Sequence, residues 1–443
     1  MATILLAAVP TPGHMNPLIT IGTWLTVHHS VLFYTPSCFS EAVIAAGMTP
    51  VHDDSTRFDY RAVEHSSVDW NAESDSDYNT AQFINAMIDH DLINQFNQFN
   101  QLVTVIAEQK VDLMIFDNMF YTASLLLNET ARYIPPVMII GVTPLPCSAP
   151  DSHYWGARLP PEITDSLFGK LSLRQIRVQQ RIAETESKLQ RVCHQLGQPL
   201  ISGHYNDFLL HQADAWLHLS VREFEFIPRI LPENIKFIGP LPVTGRGCTP
   251  DNMIRWPVRY QSLPLVIVTQ GTLDTADFSA LIEPCLRLLK KKPVRVLAVT
   301  GRRPATDIRI ALPDNVCVAE YIDLSVWLPQ TCLLVAYGGY GIVNIALKYG
   351  VPVLGVSDGE GKAETLCRLL WSRCGLALFS RTPDEEELMQ GLNKILTEQH
   401  YMLYSGVMQT LYQRCNPQAA VLDTVQLLTE KTAKSAPELP SEV

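Results

Sequence analysis

Several features that would point to nucleic acid, disulfides or a membrane are missing from this 443-residue chain. Its 34 basic and 45 acidic residues give a formal net charge of −11, which disfavours nucleic acid and anionic membranes as partners. The ten cysteines include no Cys-x-x-Cys pair, and in a chain of this length they are typical of reduced, mostly buried thiols. No apolar run approaches the roughly 20 residues that cross a bilayer. We therefore expect a cytoplasmic protein that binds no nucleic acid and has no integral membrane segment.

Basic residues are also absent from the start of the chain, where the first lysine or arginine is Arg57. A secretory signal carries a positively charged segment ahead of its apolar stretch. The opening MATILLAAVP, residues 1–10, has no such segment. It is therefore interpreted as a buried first strand.

What the chain does contain is a regular alternation of short apolar runs and helical stretches. Continuous apolar runs are typical of parallel strands covered on both faces, and their alternation with helices predicts a doubly wound α/β fold. In the first half we predict strands at 2–9, 30–35, 111–117 and 136–141, a turn at TPGHMNP (11–17), and helices near 18–27 and 40–47. In the second half we predict strands at 265–271, 294–301, 316–322, 333–339 and 351–357, and helices near 277–291, 362–373, 384–397 and 416–429.

Irregular segments divide this pattern into parts. Residues 53–100, rich in Asp, Ser and Asn, are either a surface excursion or a variable wall of a ligand cleft; residues 146–210 form a second excursion that becomes helical at 170–197. The segment near 240–260 is rich in proline and glycine, as interdomain linkers are. We predict an N-terminal Rossmann-like domain at 1–240, a linker at 241–260, a second Rossmann-like domain at 261–415, a C-terminal helix at 416–430 that packs back on the first domain, and a disordered tail at 431–443.

The most informative segment is LLVAYGGYGIVNIAL, residues 333–347, which predicts a buried strand, a glycine-rich turn and a helix. Gly338, Gly339 and Gly341 let the backbone approach a ligand closely. The free N–H groups and positive dipole end of the following helix favour an anion, most naturally phosphate. Because the segment matches neither the Gly-x-Gly-x-x-Gly fingerprint nor a Walker loop, a plain tight turn remains the alternative.

Five motifs occur in order over roughly 350 residues. Through them the chain resembles the UDP-glycosyltransferase superfamily, in particular bacterial macrolide- and natural-product-type glycosyltransferases. The resemblance implies the GT-B fold, with two doubly wound parallel-sheet domains that face each other across a cleft. The motifs are PTPGHMNP (10–17), VDLMIFDNMF (111–120), SVREFEFIPRILPENIKFIGPLP (220–242), VTQGTLD (268–274), and AYGGYGIVNIALKYGVPVLGV with GEGKAE (336–364).

The resemblance further implies a reaction. The N-terminal domain would bind a small apolar acceptor, and the C-terminal domain would bind a nucleotide-diphosphate sugar as co-substrate. Direct inverting displacement would need neither a metal nor a prosthetic group. By position, His14 would be the general base and Asp117 its orienting partner. The chemistry agrees, because an imidazole can take the proton of an acceptor hydroxyl, and a carboxylate on the other ring nitrogen stabilises the imidazolium. A turn histidine bonded to backbone is the alternative for His14.

The donor side follows from the same resemblance. Gly271 and Thr272 would meet the diphosphate, and the backbone of Tyr321 or Ile322 would face the base. Arg302 and Arg303 would add positive charge or remain solvated surface. The implied donor-binding set is Gly271, Thr272, Tyr321, Ile322, Tyr337, Gly338, Gly339, Tyr340, Gly341, Glu360 and Lys362.

Three positions depart from the family pattern. Tyr337 replaces the usual His or Asn, Ile345 replaces a Glu or Gln that accepts from the ribose, and Gly361 replaces an Asp that reads sugar hydroxyls. Each lost polar contact in a desolvated site costs about 1–3 kcal/mol. An ordinary UDP-sugar would then bind roughly two to five decades more weakly. Nearby Asp358, Glu360 and Glu364 would compensate only if the loop is re-routed.

These departures leave three hypotheses open. The first is an inverting glycosyltransferase that uses a UDP-sugar, with a dTDP-sugar as second choice. The second is a non-catalytic GT-B homologue that binds a ligand or partner, which Ile345 and Gly361 favour. The third is a sugar-nucleotide epimerase, against which the acceptor-side pair of His14 and Asp117 argues.

Overall fold

The computed structural model describes residues 1–53, 94–146, 183, 186–201, 203, 205–227, 230–242, 248–272, 277–357, 360–380 and 382–435. Most of the predicted excursion at 53–100, and the greater part of the one at 146–210, lies outside these described residues. Asp358 also lies outside them.

The described strands form two parallel sheets, as the alternation of apolar runs predicts. The first has the order β3-β2-β1-β4-β5-β6-β7 and the second β10-β9-β8-β11-β12-β13. The first sheet consists of β1 Thr3–Ala7, β2 Ser30–Thr35, β3 Thr49–His52, β4 Leu113–Asp117, β5 Val137–Gly141, β6 Ala215–His218 and β7 Ile235–Phe237. The second consists of β8 Leu265–Thr269, β9 Arg295–Val299, β10 Val316–Ala319, β11 Thr331–Ala336, β12 Val353–Val356 and β13 Gly375–Leu378.

Helices connect the strands and cover both faces of each sheet, which confirms the doubly wound α/β class. The first half contains α1 Pro12–Leu25, α2 Ser40–Ala45, α3 over 94–109, α4 Thr122–Leu127, α5 over 186–196 and α6 Tyr205–Gln212. From the linker onward come α7 Val258–Gln261, α8 Ile282–Leu289, α9 Leu324–Trp327, α10 Tyr340–Lys348, α11 Glu360–Trp371, α12 Glu385–Thr397, α13 Gln399–Tyr412 and α14 Pro417–Ser435.

The central strands are apolar at every position because each sheet has a core on both faces. In β1, Leu5 and Ala7 join one cluster, whereas Ile4 and Leu6 join the cluster on the opposite face. Successive strand side chains point to opposite faces, so both sets must be apolar. The second sheet is built in the same way around two clusters of its own.

The last helix, α14, packs on the first sheet rather than the second. Val421, Val425 and Leu428 are buried in the cluster that contains Ile4, Leu6 and residues of α1. Their spacing of four and three residues places them on one helix face. The chain therefore crosses between its two halves twice, once through the segment near 241–260 and once before α14.

The segment TPGHMNP is not the predicted turn. Helix α1 begins at Pro12, with Thr11 in extended conformation ahead of it, and continues through Pro17. Proline is favoured in the first helical position, because its φ suits the helix and its missing N–H would have no partner there. His14 consequently lies in the first turn of a helix.

Other differences concern elements that the sequence did not indicate and the end of the last helix. The unpredicted elements are strands β3, β6, β7 and β13 and helices α4, α6, α7, α9 and α13, and most predicted strands are shorter in the structure. Helix α14 continues to Ser435, so that the first five residues assigned to the disordered tail, 431–435, are helical. Their lysines and alanine are good helix formers. Residues 436–443 lie outside the described part.

Among the described residues, the helices include none with the length and apolar character needed to cross a membrane.

Candidate active site

The first candidate site lies at the carboxyl ends of β1 and β4, which are neighbours in the first sheet. Asp117 is the last residue of β4, and His14 follows β1 in the first turn of α1. The His14 Nδ1 atom lies 3.0 Å from Asp117 Oδ1. The aspartate side chain is fully buried, and the histidine ring is 21% exposed. The two residues proposed from the sequence are therefore in direct contact.

Backbone donors hold the Asp117 carboxylate in place. Its Oδ2 accepts from the Val9 N–H at 2.6 Å, and its Oδ1 accepts from the Met119 N–H at 2.7 Å. A carboxylate that already accepts from two backbone N–H groups can only accept from a further group as well. We therefore assign the proton of the His14 contact to Nδ1. This tautomer leaves a lone pair on Nε2, to which no described residue donates a hydrogen bond.

This arrangement suits proton abstraction. The partly exposed Nε2 is available to a hydroxyl, while the buried carboxylate would stabilise the imidazolium once the proton has moved. The early start of α1 positions the ring, since the helix fixes the backbone of His14 directly beside the end of β4.

A cavity lies next to this pair. Val9, whose N–H holds Asp117, contributes to its wall, and so does Phe120, whose N–H bonds the Asp117 carbonyl oxygen at 3.1 Å. Most of the wall is apolar or aromatic. The full lining is Ala8, Val9, Pro10, Tyr34, Pro36, Asp53, Gln95, Gln98, Phe120 and Tyr121.

The second candidate site lies at the carboxyl ends of β8 and β11, which are neighbours in the second sheet. Gly271 and Thr272 follow β8, and the glycine-rich loop follows β11. Thr269 of β8 and Ala336 of β11 are directly paired, so both loops leave the sheet at the same edge. Open α/β sheets bind ligands at that edge.

The glycine-rich loop has the conformation that its sequence predicts. Gly338 has φ +69°, and a Cβ on it would lie 2.5 Å from Leu366 Cδ2. Gly339 caps α10, whose first intrahelical bond runs from the Val343 N–H to the Gly339 carbonyl at 3.1 Å. The N–H groups of the first helical turn have no intrahelical partner, as at every helix start. They and the helix dipole favour an anion here.

The two tyrosines of the loop have buried side chains. Tyr340 donates its hydroxyl hydrogen to Glu225 Oε1 at 2.5 Å, and its oxygen lies 2.8 Å from His218 Nε2. Tyr337 packs in the hydrophobic core beside the sheet, with the Lys362 ammonium 5.0 Å from its ring centroid. For Tyr340, the backbone N–H is therefore the group left for a donor phosphate.

The remaining donor residues are spread along the same edge. The Tyr321 carbonyl accepts from the Thr249 N–H of the linker at 2.7 Å, and the Arg302 guanidinium lies 4.4 Å from the Tyr321 ring centroid. Ile322 is buried in the core, and Arg303 pairs with Asp307 at 2.6 Å. Each arginine thus has a contact within the protein, although Arg302 is exposed to solvent.

The positions that depart from the family pattern lie on α10 and α11. Ile345 packs against the core as a partly buried side chain. Glu360 and Gly361 are the first two residues of α11. Glu364, on the same helix, pairs with Arg368 at 3.0 Å.

A buried ionic network joins the two halves, and sequence reasoning missed it. Glu225 Oε2 accepts from Arg368 Nε at 2.6 Å and from the Leu145 N–H at 3.0 Å. His218 Nε2 lies 3.4 Å from Glu225 Oε1. Glu225, His218 and Arg368 have no solvent exposure, and the Tyr340 hydroxyl completes the interdomain network, as we call these four residues.

Charge pairing dominates the electrostatics of this network. Burial by itself raises the pKa of Glu225, but Arg368 and the hydrogen bonds of His218 and Tyr340 lower that pKa to about 2. Burial, together with the neighbouring Glu225 carboxylate, raises the pKa of Tyr340 well above its usual value. Glu225 therefore remains ionised and Tyr340 remains a hydrogen-bond donor across the neutral range.

No group of three or more His, Cys, Asp or Glu side chains suited to a metal ion occurs among the described residues.

Comparison with known proteins defines the class of this molecule. No protein-family model matches the chain. It is 25% identical to UDP-glycosyltransferase 2 of Phaeomoniella chlamydospora over 96% of this chain and 95% of the relative. Structurally it is similar to the calicheamicin glycosyltransferase CalG4, with a TM-score of 0.72, 17% identity, and coverage of 99% and 100% of the two chains. It is also similar to the spinosyn rhamnosyltransferase SpnG complexed with thymidine diphosphate, with a TM-score of 0.65, 15% identity, and coverage of 96% and 100%.

These matches confirm the resemblance to the UDP-glycosyltransferase superfamily. The protein is a glycosyltransferase with the GT-B fold.

Proposed function

We propose that this glycosyltransferase moves a sugar from a nucleotide-diphosphate sugar to a hydroxyl of a small apolar acceptor, with inversion at the anomeric carbon. His14 is the general base and Asp117 orients it. UDP is the first choice of nucleotide and dTDP the second. The contact of 3.0 Å between His14 Nδ1 and Asp117 Oδ1 is the observation that carries the proposal.

The role of His14 is supported by the path of the proton, which moves from the acceptor hydroxyl to Nε2 of the imidazole. Nε2 takes the acceptor hydroxyl proton as the oxygen attacks the anomeric carbon and the nucleoside diphosphate leaves. The carboxylate, held by two backbone N–H groups, then faces a cationic ring. General base catalysis of this kind contributes about 10²–10⁴-fold to the rate.

The donor site is supported by position and backbone geometry. Gly271, Thr272 and the loop Gly338–Gly341 share one sheet edge, and the start of α10 favours the diphosphate. Lys362, near Tyr337, adds a positive charge. Tyr321 and Ile322 would face the nucleotide base, and Glu360 the sugar.

The choice of nucleotide follows from the relatives. One is named a UDP-glycosyltransferase, and one solved neighbour holds thymidine diphosphate. The named relative places UDP first. Ile345 keeps dTDP as the second choice, because it offers no hydrogen-bond acceptor to a ribose and a deoxyribose-containing donor therefore loses less at this position.

Thermal unfolding with a panel of UDP-, dTDP- and GDP-sugars tests the donor site directly. A ligand at 100 times its dissociation constant stabilises a protein by about 2.7 kcal/mol, so we expect a clear and selective rise in Tm. His14→Ala is the matched control, because it leaves the donor loops intact and should give the same shift. No shift with any nucleotide sugar would favour a GT-B homologue that does not bind this class of donor.

Product stereochemistry tests the mechanism. With an α-linked donor and a panel of phenolic acceptors, NMR of the product should show a β-glycosidic bond. An α-linked product would contradict direct inverting displacement, even if the donor site behaves as proposed.

A further inference from the structure

The Glu225 carboxylate connects elements from both halves of the chain. Its Oε1 atom accepts from the hydroxyl of Tyr340, the first residue of α10, at 2.5 Å. Its Oε2 atom accepts from Arg368 Nε of α11 at 2.6 Å and from the Leu145 N–H at 3.0 Å. Leu145 follows β5 and belongs to a core of the first sheet, whereas Tyr340 belongs to a core of the second. One buried carboxylate therefore joins the start of α10 to the carboxyl edge of the first sheet.

A second connection lies one turn further along α10. The Asn344 side chain donates to the Tyr340 carbonyl at 2.9 Å. Its Oδ1 atom accepts from the Ser220 hydroxyl at 2.6 Å and from the Tyr412 hydroxyl at 2.5 Å. Ser220 follows β6 of the first sheet, and both Ser220 and Asn344 have no solvent exposure. Buried side-chain hydrogen bonds therefore hold α10 to the first half of the chain at two positions.

Stability alone does not account for the interdomain network. A buried ion pair is often no more stabilising than apolar side chains of the same size, because both charges lose their hydration. Here one guanidinium nitrogen, Arg368 Nη2, is also buried without a hydrogen bond to the described residues, which adds a further cost. What the network does supply is a fixed geometry, since hydrogen bonds to a carboxylate tolerate only a narrow range of distances and angles.

Sugar transfer would depend on the geometry that this network fixes. His14 lies at the carboxyl edge of the first sheet, whereas the proposed diphosphate site lies at the start of α10, beside the second sheet. The base and the donor are therefore carried by different sheets. A displacement of about 1 Å between reacting groups can lower a rate by about 10²-fold, so the position of α10 relative to the first sheet matters for the reaction.

We infer that Glu225 is a positioning residue for sugar transfer, and the inference rests on the proposed function. Through the Tyr340 hydroxyl it holds the start of α10, and with it the donor diphosphate, at a fixed distance from the sheet edge that carries His14. Without this contact the donor still binds at α10, but its distance from the base varies. The expected signature is a lower kcat at nearly unchanged donor affinity, because only the geometry of the transition state is lost.

Tyr340→Phe tests this role, because it removes only the hydroxyl and leaves the pair of Glu225 and Arg368 in place. At a temperature well below Tm, kcat for transfer should fall about tenfold or more, while the donor dissociation constant from calorimetry should change by less than about twofold. Tyr401→Phe is the matched control. Tyr401 is buried in the other core of the second sheet, so this variant should retain the wild-type kcat. An unchanged kcat in Tyr340→Phe, or a loss confined to donor affinity, would overturn the inference.

Hydrogen exchange gives a second measurement that needs no acceptor. Binding of the donor should slow exchange of the amides at 340–342 and, through Tyr340 and Glu225, that of the Leu145 amide by about fivefold or more. In Tyr340→Phe the protection at 340–342 should remain, and the protection at Leu145 should disappear. Protection that never reaches Leu145, or that reaches it equally in Tyr340→Phe, would contradict a connection through Glu225.

The two proposals fail separately. Transfer that depends on His14 and is unaffected by Tyr340→Phe would leave the glycosyltransferase mechanism standing and remove the role of Glu225. Protection of Leu145 that requires the Tyr340 hydroxyl, without transfer to any acceptor, would support the connection through Glu225 and contradict the proposed reaction.

Discussion

The carboxyl edges of the two sheets differ in how they present polar chemistry. At the first sheet a side-chain pair, His14 and Asp117, lies beside a cavity, and every hydrogen bond of the carboxylate orients it toward the imidazole. At the second sheet the polar side chains of the loop are turned inward. Tyr340 bonds Glu225 and His218, and Tyr337 packs in the core. What this second edge offers is chiefly backbone N–H groups at the start of α10.

The difference teaches how the two substrates would be recognised. A general base has to be a side chain with a titratable lone pair, so the first edge keeps specific residues in specific places. A diphosphate can be held by backbone donors and a helix dipole, which tolerate changes of side chain. The tyrosine at 340 is therefore free to serve in the interdomain network.

The largest effect is expected at the first sheet edge, from removal of the His14 imidazole. His14→Ala should lower kcat by about 10²–10⁴-fold with little change in donor affinity, because the imidazole acts only when the proton moves. His28→Ala, at an exposed position beyond α1, is the control and should retain full activity. Steady-state kinetics with donor binding by calorimetry measures both, and wild-type kcat in His14→Ala would remove the histidine from the mechanism.

Breaking the interdomain network should have the next largest effect. Glu225→Gln leaves the Arg368 guanidinium buried without its carboxylate, and removing one member of a buried ion pair costs about 3–5 kcal/mol. Urea unfolding measures the loss.

The double variant Glu225→Gln/Arg368→Met supplies the control, because it removes both charges together. It should recover a large part of the lost stability. If the double variant loses as much unfolding free energy as Glu225→Gln and Arg368→Met lose together, the two side chains are not energetically coupled.

Acid should weaken the same network. The pKa of Glu225 is about 2 in the folded protein and 4.5 in its ordinary range. A lowered folded pKa gives stability that is present above pH 4.5 and is lost as pH falls from there toward 2, which amounts to about 3 kcal/mol. Urea unfolding at stepped pH should show this slope for the wild-type protein and a shallower one for the double variant. Equal slopes would assign the acid sensitivity to other carboxylates.

A smaller effect is expected in the glycine-rich loop. Gly338→Ala places a side chain at φ +69° and against Leu366, which is fully buried. Left-handed backbone and overpacking together should cost about 1–3 kcal/mol. Gly406→Ala, in α13 with no atom within 4 Å of its new Cβ, should be neutral or stabilising. Thermal unfolding distinguishes the two, and equal Tm values would contradict a conformational requirement at Gly338.

The smallest effect is expected in the affinity of the second sheet edge for a UDP-sugar. Ile345→Gln restores an amide where the family has a hydrogen-bond acceptor for the ribose, and one neutral hydrogen bond contributes about 0.5–1.5 kcal/mol. UDP-sugar affinity should rise by about two- to tenfold, whereas Ile345→Leu should leave it unchanged. A fall in affinity in Ile345→Gln would show that the nucleotide does not reach this position.

The amino-acid sequence predicts the parts of this fold that rest on long, uninterrupted patterns. Strands such as β1, β8 and β11 are apolar on both faces, so their runs are unmistakable. Strands β6 and β7 contain four and three residues, too few for any periodicity to emerge. The prediction of a turn at the start of α1 is wrong because prolines such as Pro12 and Pro17 are common both in turns and in the first turn of a helix.

The residues of the candidate site likewise include some that the sequence indicates and others that it does not. The contact between His14 and Asp117 could be anticipated, because both residues end parallel strands or follow them closely, and such ends converge at one edge. The roles of these two residues and of the donor set remain predictions. The interdomain network gave no local signal, since Glu225 meets Tyr340 and Arg368 across 115 and 143 residues of sequence.

The return of α14 to the first sheet has a consequence for the order of synthesis. Val421, Val425 and Leu428 complete a core whose other members include strands β1, β2 and β4. A ribosome makes these strands first and the helix only after the whole second sheet. During translation the part of this face that α14 covers therefore remains exposed, and it is open to chaperones or to aggregation until the helix has been made. The core of the first sheet is therefore complete only after the second half of the chain has been synthesised.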